Sequence, residues 1–153
     1  MAFFDLIRAG NLEEIKQKVG ADSTLISKKD EKGFPPLIMA CYVSQSEIAD
    51  FLLSKGADIN ARDGAGNTAL MGVSFKGNVG IAELLIEKGA DINSQNFKGA
   101  TALIYAATFA QIKMAELLLK HGANKTIKDE SGKTALEHAE FKGISELVDI
   151  LSK

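Results

Sequence analysis

The sequence has little cysteine and no excess of charge of either sign. Cys41 is the only cysteine among 153 residues, so the chain cannot form an internal disulfide, and nothing in its cysteine content points to an oxidising compartment. Eighteen basic and twenty acidic side chains give a net charge of −2. Because a nucleic-acid-binding domain usually carries a basic excess, we expect no nucleic-acid partner.

Long apolar runs are also missing. No segment approaches the roughly 18 consecutive apolar residues of a membrane-spanning helix. The first residues reach Asp5 and Arg8 almost at once, whereas a secretory leader combines a basic start with a longer apolar stretch. We therefore expect no membrane partner and a cytoplasmic location. The remaining composition, 46% hydrophobic and 25% charged, is typical of one globular domain.

What the sequence does contain is a repeat. Landmark glycines recur every 33 residues, at Gly33, Gly66, Gly99 and Gly132, and a leucine series keeps the same spacing, at Leu37, Leu70, Leu103 and Leu136. A second leucine series lies at Leu52, Leu85, Leu118 and Leu151. So many coincidences at one period indicate repeated structural units and exclude a heptad coiled coil. We predict that the first leucine series is almost fully buried.

One unit, residues 63–95, shows how the repeat is expected to fold. Residues 63–66 have the composition of a turn, and Thr68 is placed to cap a short helix. Gly77 is expected to end that helix, because glycine readily adopts a left-handed conformation. A second helix is predicted over residues 79–87, with a buried apolar side. Neither helix is long enough to be stable alone, so stacking of units must supply the stability.

The units resemble the ankyrin-repeat family, whose signature reads Gly-x-Thr-Pro-Leu-His-x-Ala. Three units match it closely, at Gly66-Asn67-Thr68-Ala69-Leu70, Gly99-Ala100-Thr101-Ala102-Leu103 and Gly132-Lys133-Thr134-Ala135-Leu136. Only the unit before them keeps the family's proline, at Pro36. The signature histidine, which in the family usually contributes hydrogen bonds between neighbouring loops, is replaced by Ile38, Met71, Ile104 and Glu137. The glycine between the two helices of a unit is replaced by Ser44 and by Ala110.

The resemblance implies an all-α ankyrin-repeat solenoid that forms a single domain, residues 1–153. About five helix–turn–helix units would stack along it, joined by protruding turns or short β-hairpins. The expected units are an N-terminal cap at 1–29, internal units at 30–62, 63–95 and 96–128, and a C-terminal cap at 129–153. In the last unit, Glu137, Glu140 and Ser152 place polar groups where internal units hold small or apolar ones, as is typical of a cap that faces water.

Residues suited to catalysis or metal binding are few and scattered. We interpret Cys41 as a small packing residue, since unactivated cysteines are mostly buried and inert. His121 and His138 are the only histidines, and they lack the clustered ligands of a zinc site and the partners of a catalytic triad. Paired carboxylates have no predicted cleft that would perturb their pKa values. We therefore expect no catalytic residue, no metal and no cofactor, and the chain is not predicted to be an enzyme.

Aromatic residues recur near the end of the first helix of each unit. The positions are Tyr42, Phe75, Thr108 and Phe141, with Phe109 directly after Thr108 as its substitute. In the family that the chain resembles, these sites and the turns line a concave groove and its tips. Aromatic anchors flanked by basic residues are favoured at interfaces. We therefore predict a partner-binding set that consists of Phe34, Tyr42, Phe75, Lys76, Phe97, Lys98, Phe109 and Phe141.

These observations predict a monomeric protein-interaction module. It would act as a scaffold, inhibitor or regulator by binding an unidentified protein partner through its groove and turn tips. A bacterial effector that acts on a host protein and a self-associating structural solenoid are the alternatives. An enzyme or a small-ligand site would require a polar cluster with perturbed pKa values, and the sequence contains none.

Overall fold

The chain folds into ten α-helices and no β-strand. The structure is a computed structural model that describes residues 1–153. The helices are α1 (Phe3–Ala9), α2 (Leu12–Ala21), α3 (Pro36–Tyr42), α4 (Ser46–Ser54), α5 (Ala69–Lys76), α6 (Val79–Glu87), α7 (Ala102–Thr108), α8 (Ile112–Lys120), α9 (Ala135–Lys142) and α10 (Ser145–Leu151), with a 3₁₀ turn at Ser23–Ser27. The predicted all-α solenoid of stacked helix pairs is confirmed. None of the helices has the length and apolar character needed to cross a bilayer.

The helices pack in chain order. The odd-numbered helices, called first helices below, each contact the next one along the stack, from α1 to α9. Each also packs against the even-numbered helix that follows it, its second helix. The second helices α6, α8 and α10 contact one another in turn. Every unit is therefore stabilised by its immediate neighbours, as expected for a solenoid.

The first helices pack closely because small residues lie where they meet. Ala40, Val73, Ala106 and Ala139 share one position of the repeat, and each is at most 1% exposed. Leu37, Leu70 and Leu103 are also 1% exposed. The burial prediction is wrong for Leu136, which is only partly buried. Its helix, α9, is the last first helix of the stack, so no further unit covers its outer side.

Threonine and glycine set the ends of the first helices. The hydroxyl oxygens of Thr68, Thr101 and Thr134 each accept a hydrogen bond from the backbone N–H three residues later, at the start of α5, α7 and α9. Gly77 ends α5 in the left-handed conformation, with φ 81°. The cap at Thr68, the stop at Gly77 and the second helix Val79–Glu87 therefore lie where the sequence predicts them.

The connections between units are turns, and the short β-hairpins expected as one form of connection do not form. Asp30, Asp63, Asn96 and Asp129 share one position of the repeat, and one side-chain oxygen of each accepts the backbone N–H groups two and four residues later. At Asp63 both bonds measure 2.9 Å. Because the side chain satisfies these N–H groups, they do not pair with a second strand.

Side chains also link each turn to the next. Arg62 Nη1 donates to the carbonyl oxygen of Gly66 at 2.7 Å and to that of Gln95 at 2.8 Å. Gln95, one period later, donates through Nε2 to Gly99 at 2.9 Å and to Lys128 at 3.2 Å. These bonds connect neighbouring loops in a chain that lacks the signature histidine.

Two residues with side chains adopt the left-handed conformation between the helices of a unit. Ser44 has φ 62° and Ala110 has φ 58°, whereas Gly77 has φ 81° at the equivalent place. The left-handed region costs such residues roughly 1–2 kcal/mol relative to the right-handed one. The replacement of glycine at these two sites therefore leaves the fold intact and introduces local strain.

The substitution Ala110→Gly is expected to raise the free energy of unfolding by about 0.5–1 kcal/mol, because relief of the strain exceeds the added entropy of glycine in the unfolded chain. Urea denaturation measures the change. Ala21→Gly is the matched control, since Ala21 is exposed and belongs to α2. There the same chemical change relieves no strain and should lower the free energy of unfolding. Equal losses in both variants would show that Ala110 carries no strain.

Candidate functional site

Aromatic residues at the ends of the first helices gather on one side of the stack. Tyr42, Phe75 and Phe109 lie at the C-terminal ends of α3, α5 and α7. They are 46%, 41% and 44% exposed, respectively. First-helix packing brings the rings of Phe75 and Phe109 within 4.5 Å between centroids. Large apolar side chains thus remain half exposed on a scaffold that is otherwise well packed.

Tyr105 joins this cluster, although the predicted aromatic row did not include it. Its ring lies edge-on to Phe75, with centroids 6.4 Å apart, and 6.1 Å from the ring of Phe109. Edge-to-face contacts of this kind are favourable between aromatic side chains. The position of Tyr105 in the repeat is shared by Met39, Gly72 and His138. A search for recurring aromatic residues therefore could not find it.

A pocket of about 350 Å³ opens among these side chains. We call it the aromatic pocket; its lining residues on the three first helices include Tyr42 on α3, Gly72 and Phe75 on α5, and Tyr105 on α7. Nine of its thirteen lining residues are hydrophobic, and Asp63 is the only charged one. Four of the residues predicted to bind a partner, Phe34, Tyr42, Phe75 and Phe109, are brought together here.

A polar network ties the aromatic pocket to the next turn. Asn96 Nδ2 donates to Asn67 Oδ1 at 2.8 Å and to the Tyr105 hydroxyl at 2.9 Å. The Tyr105 hydroxyl in turn donates to Asn67 Oδ1 at 3.1 Å. Burial raises the pKa of Tyr105, and the hydrogen bonds with Asn67 and Asn96 offset part of that rise. The hydroxyl is therefore neutral at physiological pH and fixes the orientation of the ring.

Basic side chains border the exposed rings. Lys76 Nζ lies 4.2 Å from the centroid of the Tyr42 ring and donates to the Tyr42 carbonyl oxygen at 2.9 Å. Lys133 Nζ lies 4.8 Å from the centroid of the Phe141 ring at the C-terminal end of the stack. Such cation–π contacts orient both partners. The contact of Lys76 places a positive charge at the rim of the aromatic pocket, beside Tyr42.

The remaining residues predicted to bind a partner lie outside the aromatic pocket. Phe141, at the end of α9, is 77% exposed, and Phe97, on the turn before α7, is 73% exposed. The Phe97 ring lies against Gly66, since a Cβ on Gly66 would approach it within 2.7 Å. Lys98 is exposed on the same turn. The predicted set is therefore divided among the aromatic pocket with Lys76 at its rim, the turn that carries Phe97 and Lys98, and the end of α9, and its role in binding remains a prediction.

A larger hollow, of about 660 Å³, lies at the N-terminal end between α1 and the 3₁₀ turn. Its lining includes four basic and four acidic side chains, Arg8, Lys18, Lys28, Lys29, Asp5, Asp22, Asp30 and Glu31. The balanced charge gives this hollow no preference for a ligand of either sign. We place the candidate site at the aromatic pocket because apolar walls with a few convergent polar groups are typical of binding sites. No three His, Cys, Asp or Glu side chains lie close enough together to hold a metal ion.

Cys41 is buried in α3, with 2% exposure. Burial raises the pKa of its thiol to about 12. The thiol is therefore protonated at physiological pH, and a protonated thiol is a poor nucleophile. One period later Ser74 occupies the equivalent position, and its hydroxyl donates to the Leu70 carbonyl oxygen at 2.7 Å. The structure thus places Cys41 among packing residues.

Asp129 and His138 form a partly buried pair in the last unit. His138 Nε2 donates to Asp129 Oδ2 at 2.6 Å. Partial burial of Asp129 would raise its pKa, but hydrogen bonds from Ser131, His138 and the backbone of Lys133 lower the pKa to about 2. The neighbouring Ser131 hydroxyl donates to Asp129 Oδ1 and not to His138, so the pair links the last turn to α9.

The family described as ankyrin repeats, in three copies, matches residues 4–96 and 70–153 of the chain. The 26S proteasome non-ATPase regulatory subunit 10 of Homo sapiens is 37% identical over 62 residues, which are 40% of this chain and 27% of that protein. Protein phosphatase 1 regulatory subunit 27 of Homo sapiens is 40% identical over 68 residues, 43% of this chain and 42% of that protein. NF-kappa-B inhibitor alpha of Gallus gallus is 38% identical over 63 residues, 41% of this chain and 20% of that protein. The matched part spans less than half the length of each relative.

The substitution Cys41→Ala is expected to lower the free energy of unfolding by about 1 kcal/mol through a small cavity and to leave partner binding unchanged. Cys41→Ser should behave similarly, because Ser74 shows how a hydroxyl at this position donates to the preceding turn of the helix. Urea denaturation and partner capture measure the two quantities. Rapid reaction of the native thiol with a disulfide reagent at neutral pH would contradict the assignment of Cys41 to the core.

The substitution Asp129→Asn is expected to lower the free energy of unfolding at neutral pH, because the amide cannot replace the charged partner of His138. The pKa of Asp129 is lowered in the folded state, so its stabilisation is present above the ordinary carboxyl pKa and is lost as pH falls toward about 2. The difference between the two proteins should therefore shrink as pH falls from about 4 to about 2. Melting temperatures recorded against pH test this, and a constant difference would contradict it.

Proposed function

Because the chain belongs to the ankyrin-repeat family, we propose that it binds a protein partner through the aromatic pocket and the neighbouring turn tips, without catalysing a reaction. The observation that carries the proposal is the half-exposed cluster of Tyr42, Phe75 and Phe109. Aromatic side chains gain much of their stabilisation from burial, and these rings leave almost half of their surface in water. A contiguous exposed apolar patch of this kind is typical of an interaction site.

The rigidity of the site supports the same proposal. The pocket walls are carried by helices α3, α5 and α7, which pack on one another. Hydrogen bonds from the side chains of Arg62 and Gln95, and a hydrogen bond to the side chain of Asp63, stabilise the neighbouring turns. A preorganised surface loses little conformational entropy on association, so more of the contact energy is retained as affinity.

The relatives favour a regulatory role for such binding. Two of them are named as regulatory subunits, of the 26S proteasome and of protein phosphatase 1, and a third as an inhibitor. By analogy, we propose that this chain is a regulator, inhibitor or scaffold of its partner. Its net charge of −2 favours a protein partner over a nucleic acid. We further propose that the free chain is monomeric, which light scattering at several concentrations would test.

The triple variant Tyr42→Ala, Phe75→Ala, Phe109→Ala is expected to lose its partner and keep its fold. Central aromatic anchors dominate interfaces, and truncation of one typically costs about 2 kcal/mol or more of binding. Capture from a lysate of the source cell, quantified by mass spectrometry, would report the partner for the wild type and for each variant. Circular dichroism would report the fold.

The matched control is Phe51→Ala. Phe51 lies on the second helix α4, is partly buried, and is absent from the lining of the aromatic pocket. This variant should lose stability while retaining the partner. Retention of the partner by the triple variant would contradict the proposal, and so would collapse of the fold in each single variant, because the rings would then belong to the core.

A further inference from the structure

One position of the repeat is filled differently in each unit. Gly72 on α5, Tyr105 on α7 and His138 on α9 are one period apart. In the last two of these units an aromatic ring reaches from this position to the turn residue that opens the same unit. The Tyr105 hydroxyl accepts from Asn96 Nδ2 at 2.9 Å, and His138 Nε2 donates to Asp129 Oδ2 at 2.6 Å. In the last two units this position therefore holds an aromatic ring with a polar tip, although the two residues differ.

The unit that contains Gly72 lacks this ring, as does the unit before it, where Met39 occupies the position. The turn residue Asp63 has fewer side-chain partners than Asp129. Asp63 Oδ1 accepts two backbone N–H groups of the turn. Asp63 Oδ2, the atom equivalent to the one that His138 binds in the last unit, has only a 3.5 Å contact with Asn67 Nδ2. A Cβ placed on Gly72 would meet no atom within 4 Å. The space that a ring would fill is therefore empty, and it belongs to the aromatic pocket, because Gly72 and Asp63 both line that pocket. We call the part of the pocket lined by Gly72 and Asp63 its floor.

The walls above this empty space suit an aromatic side chain. Phe75 and Phe109 stand with Tyr105 in the edge-to-face cluster, and Tyr42 faces the same pocket from α3. A flat ring inserted among them would gain further contacts of the same kind. The volume of about 350 Å³ is sufficient for one large side chain.

The charged groups around the pocket favour a particular polar group at the end of the side chain that would occupy it. The ionised carboxylate of Asp63 only accepts hydrogen bonds, so the tip must donate one. Lys76 places a cation beside the Tyr42 ring at the rim, so the single carboxylate of the pocket already has a positive charge nearby. A neutral ring with an O–H group would pack against the aromatic walls, donate a hydrogen bond to Asp63 and add no charge beside Lys76.

We propose that the Gly72 floor of the aromatic pocket is a socket for a tyrosine side chain of the protein partner, whose hydroxyl donates to Asp63 Oδ2. The inserted ring would complete in this unit the arrangement that Tyr105 and His138 complete in the next two. This proposal rests on the proposed function, since it assigns a recognition element to the partner that the groove binds.

Two small probes test the socket without knowledge of the partner. p-Cresol carries the ring and the O–H donor of tyrosine, whereas 4-methylanisole carries the same ring with a methyl ether that only accepts. In titrations of ¹⁵N-labelled protein, p-cresol should bind with a dissociation constant of about 1–10 mM, as expected for so few atoms. It should shift the signals of Gly72 and of the Asn67 side chain. 4-Methylanisole should bind about tenfold more weakly, because it cannot donate to the carboxylate.

The variant Asp63→Asn replaces a carboxylate that only accepts hydrogen bonds with an amide that can also donate one. Asn96 shows that an asparagine at this position keeps the bonds of the turn and directs its amide N–H toward the ring of its own unit. The variant should therefore keep its fold and bind both probes with equal affinity, since the amide donates to either oxygen. Retention of the full preference for p-cresol in Asp63→Asn would overturn the role of the carboxylate.

The variant Gly72→Leu fills the socket, and Gly80→Leu is its matched control. Both glycines lie within helices, and a Cβ on Gly80 would meet only the Asn78 side chain, at 3.7 Å. Gly72→Leu should abolish the binding of p-cresol, and Gly80→Leu should leave it unchanged. Undiminished binding to Gly72→Leu would overturn the proposal, as would equal affinity of both probes for the wild type.

The tyrosine socket and the proposed function can be refuted separately. Absence of p-cresol binding, together with loss of the partner from the triple variant of Tyr42, Phe75 and Phe109, overturns the tyrosine socket and leaves the proposed function standing. Retention of the partner by that triple variant overturns the proposed function itself and the socket that rests on it.

Discussion

Close packing between neighbouring first helices is the contact on which the rest of the structure depends. The helices that line the groove have only seven or eight residues, α3, α5 and α7 among them, and helices of this length are unstable in water. Their stability comes from the interfaces at which Ala40, Val73 and Ala106 bring one helix against the next. The caps and turn bonds add to this, but they act only on helices that stacking already holds in place.

The same packing creates the candidate site. Stacking in register makes neighbours of residues that are about one period apart in the sequence, so that Phe75 meets Phe109, which lies one residue beyond its exact repeat position. The pocket itself arises where the repeat is irregular, because Gly72 withholds the side chain that Tyr105 and His138 supply in later units. The regular stacking of the units thus brings the aromatic side chains of the pocket together, and the absence of a side chain at Gly72 leaves the space between them.

Periodicity explains why much of the fold could be predicted from the sequence. The cap at Thr68 and the stop at Gly77 are local features, since each follows from the conformational preference of one residue in its turn. The exposure of Leu136 is not local, because it depends on whether another unit follows α9. The aromatic pocket was missed for a related reason. It depends on an absent side chain at Gly72 and on Tyr105, whose position holds no other tyrosine, phenylalanine or tryptophan.

Nearest-neighbour stacking also distributes stability unevenly along the chain. In this structure the pair α9–α10, like α1–α2, has neighbours on one side only, and it contains the partly buried Leu136. Units covered on one side are expected to exchange their amide protons at a lower free-energy cost than the interior units. The pocket lies on α3, α5 and α7, each of which is covered on both sides by another first helix. Opening of α9–α10 would uncover one side of α7, whereas α3 and α5 would keep both of their neighbours. Because α7 lines the pocket and also packs against α9, occupancy of the pocket and opening of α9–α10 are coupled, and a bound partner would slow amide exchange most in the interior units.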